Sequence, residues 1–330
     1  MAAVQTEEEI DDTAGASRKE TTDEEDSEPE FPKTLEEFGY EFFGGQELRN
    51  IETNEKFNFE AKPHDHVYNQ RRYEALGEAM TQYIYETLER EKMKKVAVPV
   101  DAAPGEPVTH VYCSKNALTT DDSLIILIHG SGVVRAGQWS RRLLINDSFR
   151  SGSQIPFIRR AIGLGFGVII LNTNDNYREI NGVKHKIRGS ETAEKHANYV
   201  WRKIIMEMCP NVVHIGIIAH SYGGIVAVNL YKNFTAEFKD KVFGVAFTDS
   251  AHNLIAQNIS VPDIKWLRKR SRNWVSSAQP LDTPLVLNNP YEVEYFSAGT
   301  QIHEQTNWMA FHSIFSYLDH RLQRKVMPLD

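Results

Sequence analysis

Four short apolar runs frame this chain: 124–128 (Leu-Ile-Ile-Leu-Ile), 165–171 (Gly-Phe-Gly-Val-Ile-Ile-Leu), 212–219 (Val-Val-His-Ile-Gly-Ile-Ile-Ala) and 242–247 (Val-Phe-Gly-Val-Ala-Phe). They are continuous rather than alternating and rich in β-branched residues. They predict strands buried on both faces, as in a parallel sheet covered by helices. Residues 108–113 alternate and read as a further strand. Helical periodicity fills the intervals. Leu76, Met80, Ile84 and Leu88 recur at every fourth position. Residues 190–208 carry Ala193, Ala197, Val200, Trp201, Ile204, Ile205 and Met208 on one face, with Ser190 as N-cap and Pro210 as the stop. A last strand at about 293–297 precedes a helix opening near Thr306, with Trp308, Phe311, Phe315 and Leu318 along its stripe. Aromatics between residues 31 and 59 suggest a lead-in packed on the main body. Strands alternating with helices predict an α/β fold, a doubly wound, mostly parallel sheet with helices on both faces. Residues 31–330 read as one domain, without internal repeats.

Charge changes the picture at one end only. Of a net charge of −8 over 330 residues, the first thirty carry −10, leaving +2 on the rest. The tail lacks large apolar residues and is expected to be disordered. The near-neutral body offers no basic footprint, so direct nucleic-acid binding is not expected. The densest basic run, Lys265 to Arg272, reads as a solvated helix face. Two cysteines, Cys113 and Cys209, make no disulfide framework and suggest a reducing compartment. No stretch of about 18 apolar residues predicts a membrane span.

The third apolar run leads into the candidate chemistry. Ala219-His220-Ser221-Tyr222-Gly223-Gly224 has the form of a nucleophile elbow, with Ala219 in place of the usual first glycine. A serine raised on so tight a turn needs small neighbours two positions away, which Ala219 and Gly223 supply. The helix that follows would aim its N-terminus at a developing oxyanion. About 90 residues upstream, His129-Gly130-Ser131-Gly132 follows the first central strand. In such hydrolases this turn supplies one oxyanion N–H, here near Ser131; the other comes from the residue after the nucleophile, Tyr222. Chain order places the acid and then the histidine after the serine. His303, between the last strand and the last helix, is the favoured base over His252, His312 and His320. Asp249 and Asp282 remain alternatives for the acid. Residues 253–280, with Trp266 and Trp274, are the expected lid. His64-Asp65-His66 reads as a surface turn, and Gly163-Leu164-Gly165-Phe166-Gly167 precedes a strand, which excludes a dinucleotide fingerprint. Neither metal nor cofactor is expected.

With these residues in view, the chain resembles the Arb-two (Argonaute-binding protein two) domain family. Within it, the chain is most similar to the cotranscriptional regulators called family with sequence similarity 172. The matching stretches are 31–50, 70–89, 127–146, 219–224, 248–253, 273–283 and 297–304. The string His-Gly-Ser-Gly-Val-Val-Arg-Ala-Gly-Gln-Trp, 129–139, is the specific one. The resemblance implies an α/β-hydrolase fold with Ser221 at the nucleophile position. It also implies a nuclear and cytoplasmic protein linking Argonaute and chromatin-remodelling partners to alternative splicing or small-RNA silencing. A hydrophilic insert of longer members, which would fall between Tyr177 and Ser190, is nearly absent here. The residues alone support the other reading, a serine esterase or thioesterase acting on a small ester or thioester.

Overall fold

The computed structural model describes residues 29–286 and 289–326. The disorder expected of the acidic tail falls almost wholly outside them. Contacts group the chain from Pro32 onward as one compact unit. A small hairpin, β1 (Tyr40–Phe43) and β2 (Glu47–Asn50), precedes the long helix α1 (His66–Arg90) and the strands β3 (Lys94–Val98), β4 (Thr109–Cys113) and β5 (Ser123–Ile128). Three short helices, α2 (Arg141–Asn146), α3 (Phe149–Gly152) and α4 (Ile155–Gly163), lead to β6 (Gly167–Ile170) and a second hairpin, β7 (Tyr177–Ile180) and β8 (Val183–Lys186). Then follow α5 (Ala193–Tyr199), β9 (His214–His220), α6 (Tyr222–Asn233), α7 (Thr235–Lys241) and β10 (Val242–Thr248). The chain continues through α8 (Val261–Arg270), β11 (Ser271–Val275), β12 (Pro284–Leu285), β13 (Glu294–Ser297), α9 (Thr306–Met309) and α10 (Phe311–Val326).

Nine strands form one sheet in the order β12-β13-β11-β10-β9-β5-β6-β4-β3. The six from β13 to β6 run parallel, and β12, β4 and β3 are antiparallel to their neighbours. This is the doubly wound, mostly parallel sheet expected from the strand runs, in the α/β-hydrolase-like arrangement expected from the elbow and the resemblance. Side chains alternate across it as strand geometry requires. Ile125 and Leu127 enter one core with Leu76, Met80, Ile84 and Leu88 of α1 and with Phe311, Phe315 and Leu318 of α10. Leu124, Ile126 and Ile128 enter the other with Trp201, Val226, Tyr231, Phe238 and Ile264. Strand order turns back between β5 and β9: the chain runs outward from β5 to β6, then crosses to β9. The crevice beyond the carboxyl ends of two such strands is where ligands bind in open α/β sheets.

Two expectations are corrected. The helix predicted over 190–208 begins at Ala193, capped by Thr192, whose hydroxyl accepts from Lys195 N at 3.2 Å. Ser190 is buried instead and hydrogen-bonds His196. From Val200 to Met206 the helix widens to π-type geometry around buried Trp201. Residues 253–280 are no lid. They build α8 and β11, a strand inside the sheet, paired with β10 and β13. Trp274 is fully buried there, because a tryptophan in an interior strand packs under the adjacent helix α10, against Tyr317. Trp266 lies against Tyr231 and Phe238. Both thiols are buried and unpaired. Among the described residues no helix is long and apolar enough to cross a membrane.

Candidate active site

Strand β9 ends at His220, and helix α6 starts at Tyr222. Ser221 makes the turn alone, with φ 51° and ψ −121°, a conformation that L side chains rarely adopt. Surrounding bonds enforce it. Ser221 N donates to Thr248 O at 3.0 Å, and Ser221 O accepts from Gly224 N and Ala251 N, both at 3.1 Å. The glycine requirement is steric. A β-carbon at Gly223 would stand 2.6 Å from Ile128 O and 2.7 Å from His129 O, both backbone atoms at the end of β5. Gly223→Ala is therefore expected to destabilise the fold by roughly 1–3 kcal/mol, the range for overpacking. Urea denaturation checks this; unchanged stability would mean that α6 does not press on β5.

The turn after β5 faces the elbow. A β-carbon on Gly130 would lie 3.1 Å from Ser221 Cβ, and Gly132 has φ +97°. The Asn174 side-chain amide pins this turn by donating to Gly130 O at 2.9 Å and to Val134 O at 3.1 Å. Ser131 is exposed, at the mouth of the turn. Tyr222 N is a first-turn helical N–H, without an intrahelical acceptor by position. The Tyr222 hydroxyl is held aside by Glu194 Oε1 at 2.5 Å.

His303 opens a short 3₁₀ turn after β13, and its Nδ1 donates to Asp249 Oδ2 at 2.8 Å. Asp249 ends β10 with φ 41°; its other oxygen accepts from Ser276 N at 3.2 Å. The Asp249 hydrogen bond raises the imidazole pKa of His303 above the ordinary 6.5, against an opposing effect of burial. Burial would raise the pKa of Asp249, but the bonds from His303 and Ser276 outweigh it and hold its carboxyl below the usual range. Asp282 does not meet His303. Its oxygens accept from Trp274 Nε1 at 2.8 Å and Ser313 Oγ at 2.6 Å, tying the sheet to α10. Among the described residues no hydrogen bond joins His303 Nε2 to Ser221 Oγ; such bonds often tighten only when substrate arrives. With Nδ1 taken by Asp249, Nε2 is the nitrogen left for a serine proton.

Two further histidines lie at the site: His129, whose place in the oxyanion turn already points to the cleft, and His220, whose role has no signal in the sequence. The His220 ring stacks on His303, centroids 4.7 Å apart, and its Nδ1 donates to Thr248 O at 3.0 Å. His129 Nδ1 donates to Gly130 O at 2.8 Å. Burial pushes His129 down to about 4 and His220 to about 3. Both are therefore uncharged at pH 7. His252 is enclosed between Ser250 and Glu292; His312 and His320 are exposed on α10. His64 and His66 flank Asp65, the N-cap of α1, and among the described residues no cluster could hold a metal.

Known proteins agree with this architecture. A histone deacetylase from Saccharomyces cerevisiae shares the fold over 75% of this chain and 98% of that chain, with a TM-score of 0.50 at 17% identity. The cotranscriptional regulator ARB2A homolog of Xenopus tropicalis is 41% identical, covering 90% of this chain and 81% of its own length. Cotranscriptional regulator ARB2A of Homo sapiens is 40% identical, over 91% and 83%. Residues 31–281 match the Arb2 domain, and the chain belongs to the Arb2 domain family.

Proposed function

We propose that this protein is a cotranscriptional regulator that works through protein partners in the nucleus and retains a serine site able to do acyl-transfer chemistry. The regulatory half rests on 40% identity to a cotranscriptional regulator along nine-tenths of the chain. Its finer content, Argonaute and chromatin-remodelling partners, a link to splicing or small-RNA silencing and a shared presence in the cytoplasm, rests on family resemblance. Affinity capture of the tagged full chain from nuclear and cytoplasmic extracts tests it. Argonaute or remodelling subunits retained by both wild type and Ser221→Ala support a scaffold independent of chemistry. Their absence from both removes these partners.

The chemical half is carried by one observation, the Asp249–His303 pair beside a serine held on a strained elbow. In this reading Ser221 Oγ attacks a carbonyl of an ester, thioester or amide and passes its proton to His303 Nε2. N–H groups of Ser131 and Tyr222 receive the oxyanion, and Asp249 stabilises the imidazolium. A fluorophosphonate tests this directly. Serine oxygen bonds to phosphorus, fluoride leaves, and the serine proton goes to His303. Asp249→Asn is expected to slow labelling by about 10³–10⁴-fold, the loss seen when a triad carboxylate becomes an amide. Asp282→Asn should leave the rate within a few fold. The reverse ranking would make Asp282 the acid. Because His303 acts as a neutral base, labelling should rise with pH through a midpoint above 6.5.

A further inference from the structure

Behind Asp249 lies a second chain of polar side chains that the proposed chemistry does not use. Ser250 Oγ lies 2.6 Å from His252 Nδ1, and His252 Nε2 lies 3.3 Å from Glu292 Oε2. The His252 side chain is fully enclosed and Glu292 nearly so. Glu292 Oε1 accepts from Leu254 N at 2.8 Å. The Ser250 oxygen also accepts from His252 N at 3.3 Å, and His252 Nε2 and Glu292 Oε2 face each other in close contact without a hydrogen bond. The imidazole packs on Phe247, centroids 4.4 Å apart, and Ser250 N donates to Asn273 Oδ1 at 3.3 Å.

These contacts fix the residue immediately after Asp249. Asp249 needs such support, because a non-glycine residue at φ 41° persists only where its surroundings over-determine it. Its N–H is already bound to Trp274 O at 2.7 Å on one side, and Ala251 N is bound to Ser221 O on the other. Ser250 also abuts Gly224: a β-carbon there would fall 1.7 Å from Ser250 Oγ. The same hydroxyl thus touches the elbow helix and the acid-bearing loop.

We infer that Ser250, His252 and Glu292 form a buried brace whose task is to aim the Asp249 carboxylate at His303. They are positioning residues. The inference rests on the reading of Ser221, His303 and Asp249 as a chemical site, and its test is built to fail separately from that reading.

The experiment compares full-length wild type, Ser250→Ala and Glu292→Ala by two measurements. The first is the NMR titration of the His303 imidazole, assigned with His303→Gln, which needs no activity. The second is the pH profile of fluorophosphonate labelling at Ser221. Besides Asp249, Glu304 and the stacked ring of His220 face His303; all three are unaltered in both variants. The expected result is a His303 pKa displaced toward 6.5 in both variants, with the labelling midpoint moving the same way. The limiting rate should fall on the order of 10²-fold, as a misplaced catalytic group entails. An unmoved His303 titration in both variants overturns the brace, even where melting temperature drops, since that would be structural support alone. A wild type that never labels overturns the chemical reading, while the titration still decides the brace.

Discussion

Ser221→Ala is expected to abolish fluorophosphonate labelling and to lower any ester turnover by at least ~10³-fold while leaving the melting temperature almost unchanged. In the proposed chemistry the hydroxyl is the attacking group, whereas the backbone that presents it is held by main-chain bonds to Thr248, Gly224 and Ala251 that alanine also makes. Ser221→Gly should be equally inert and more stable, by about 1 kcal/mol, because glycine alone reaches φ 51° without steric conflict. The two variants separate chemistry from folding: one alters reactivity alone, the other alters reactivity and releases strain. Intact-mass spectrometry after probe treatment, paired with calorimetry, reads both. A labelled Ser221→Ala would show that another residue reacts, and the elbow would then be an inherited turn without chemistry.

Acid should unfold this protein early. His129, His196 and His220 are buried and neutral, with folded pKa values pushed by burial to about 4, about 3 and about 3, against an ordinary 6.5. A base whose folded pKa is depressed is protonated first in the unfolded chain. Its contribution is therefore full above 6.5 and is lost as pH falls toward the folded value. For three such groups, moving from pH 7.5 to 5.5 removes about 4 kcal/mol, a large share of a typical domain's stability. His303 has the opposite sign: its raised pKa favours the folded state below 6.5, and that benefit fades as pH rises through the folded value. Its side chain is 45% exposed, so solvent screening keeps this compensation small. Carboxylates such as Asp249, whose ordinary value is 3.8, act only at lower pH and leave this window to the histidines. Urea denaturation at constant ionic strength provides the check. His196→Gln should flatten the pH slope by at most about a third, since His110 and His214, also lowered by burial, share in it. Equal stability at pH 7.5 and 5.5 would contradict the neutral, buried state of these rings.

Much of this site could be read from the sequence because its constraints are local. The elbow declares itself in Ala219 to Gly224, where small residues must flank the serine, and the glycines at 130 and 132 mark a turn that the backbone alone can fill. Continuous apolar runs named the central strands for the same reason, since burial on both faces leaves no room for alternation. What escaped was whatever depends on pairing across distance. Asp249 follows β10 and Asp282 precedes β12, and both have positive φ. Only the sheet order, which sets β10 two strands from β13, the strand that leads to His303, brings the first within reach of it. The assignment of 253–280 to a lid failed because the basic face of α8 hides the buried positions Ile264 and Leu267, and because β11 pairs with strands far off in sequence. The stacking of His220 on His303 joins residues more than eighty positions apart and has no linear signature.

The nine-stranded sheet ends on one side in β12, two residues long and containing Pro284, and on the other in β3, which opens with exposed Lys94 and Lys95. Proline has no N–H to offer an incoming strand, and adjacent lysines would bring buried charge into any such pairing. Neither border is a template for an extended peptide. A protein that assembles with this one gains little by lengthening the nine-stranded sheet and is left to recognise helices, loops, side-chain relief or the two small hairpins. Strand-mimicking peptides should accordingly fail to dock on the nine-stranded sheet, while substitutions on exposed helical faces should disrupt the protein's complexes.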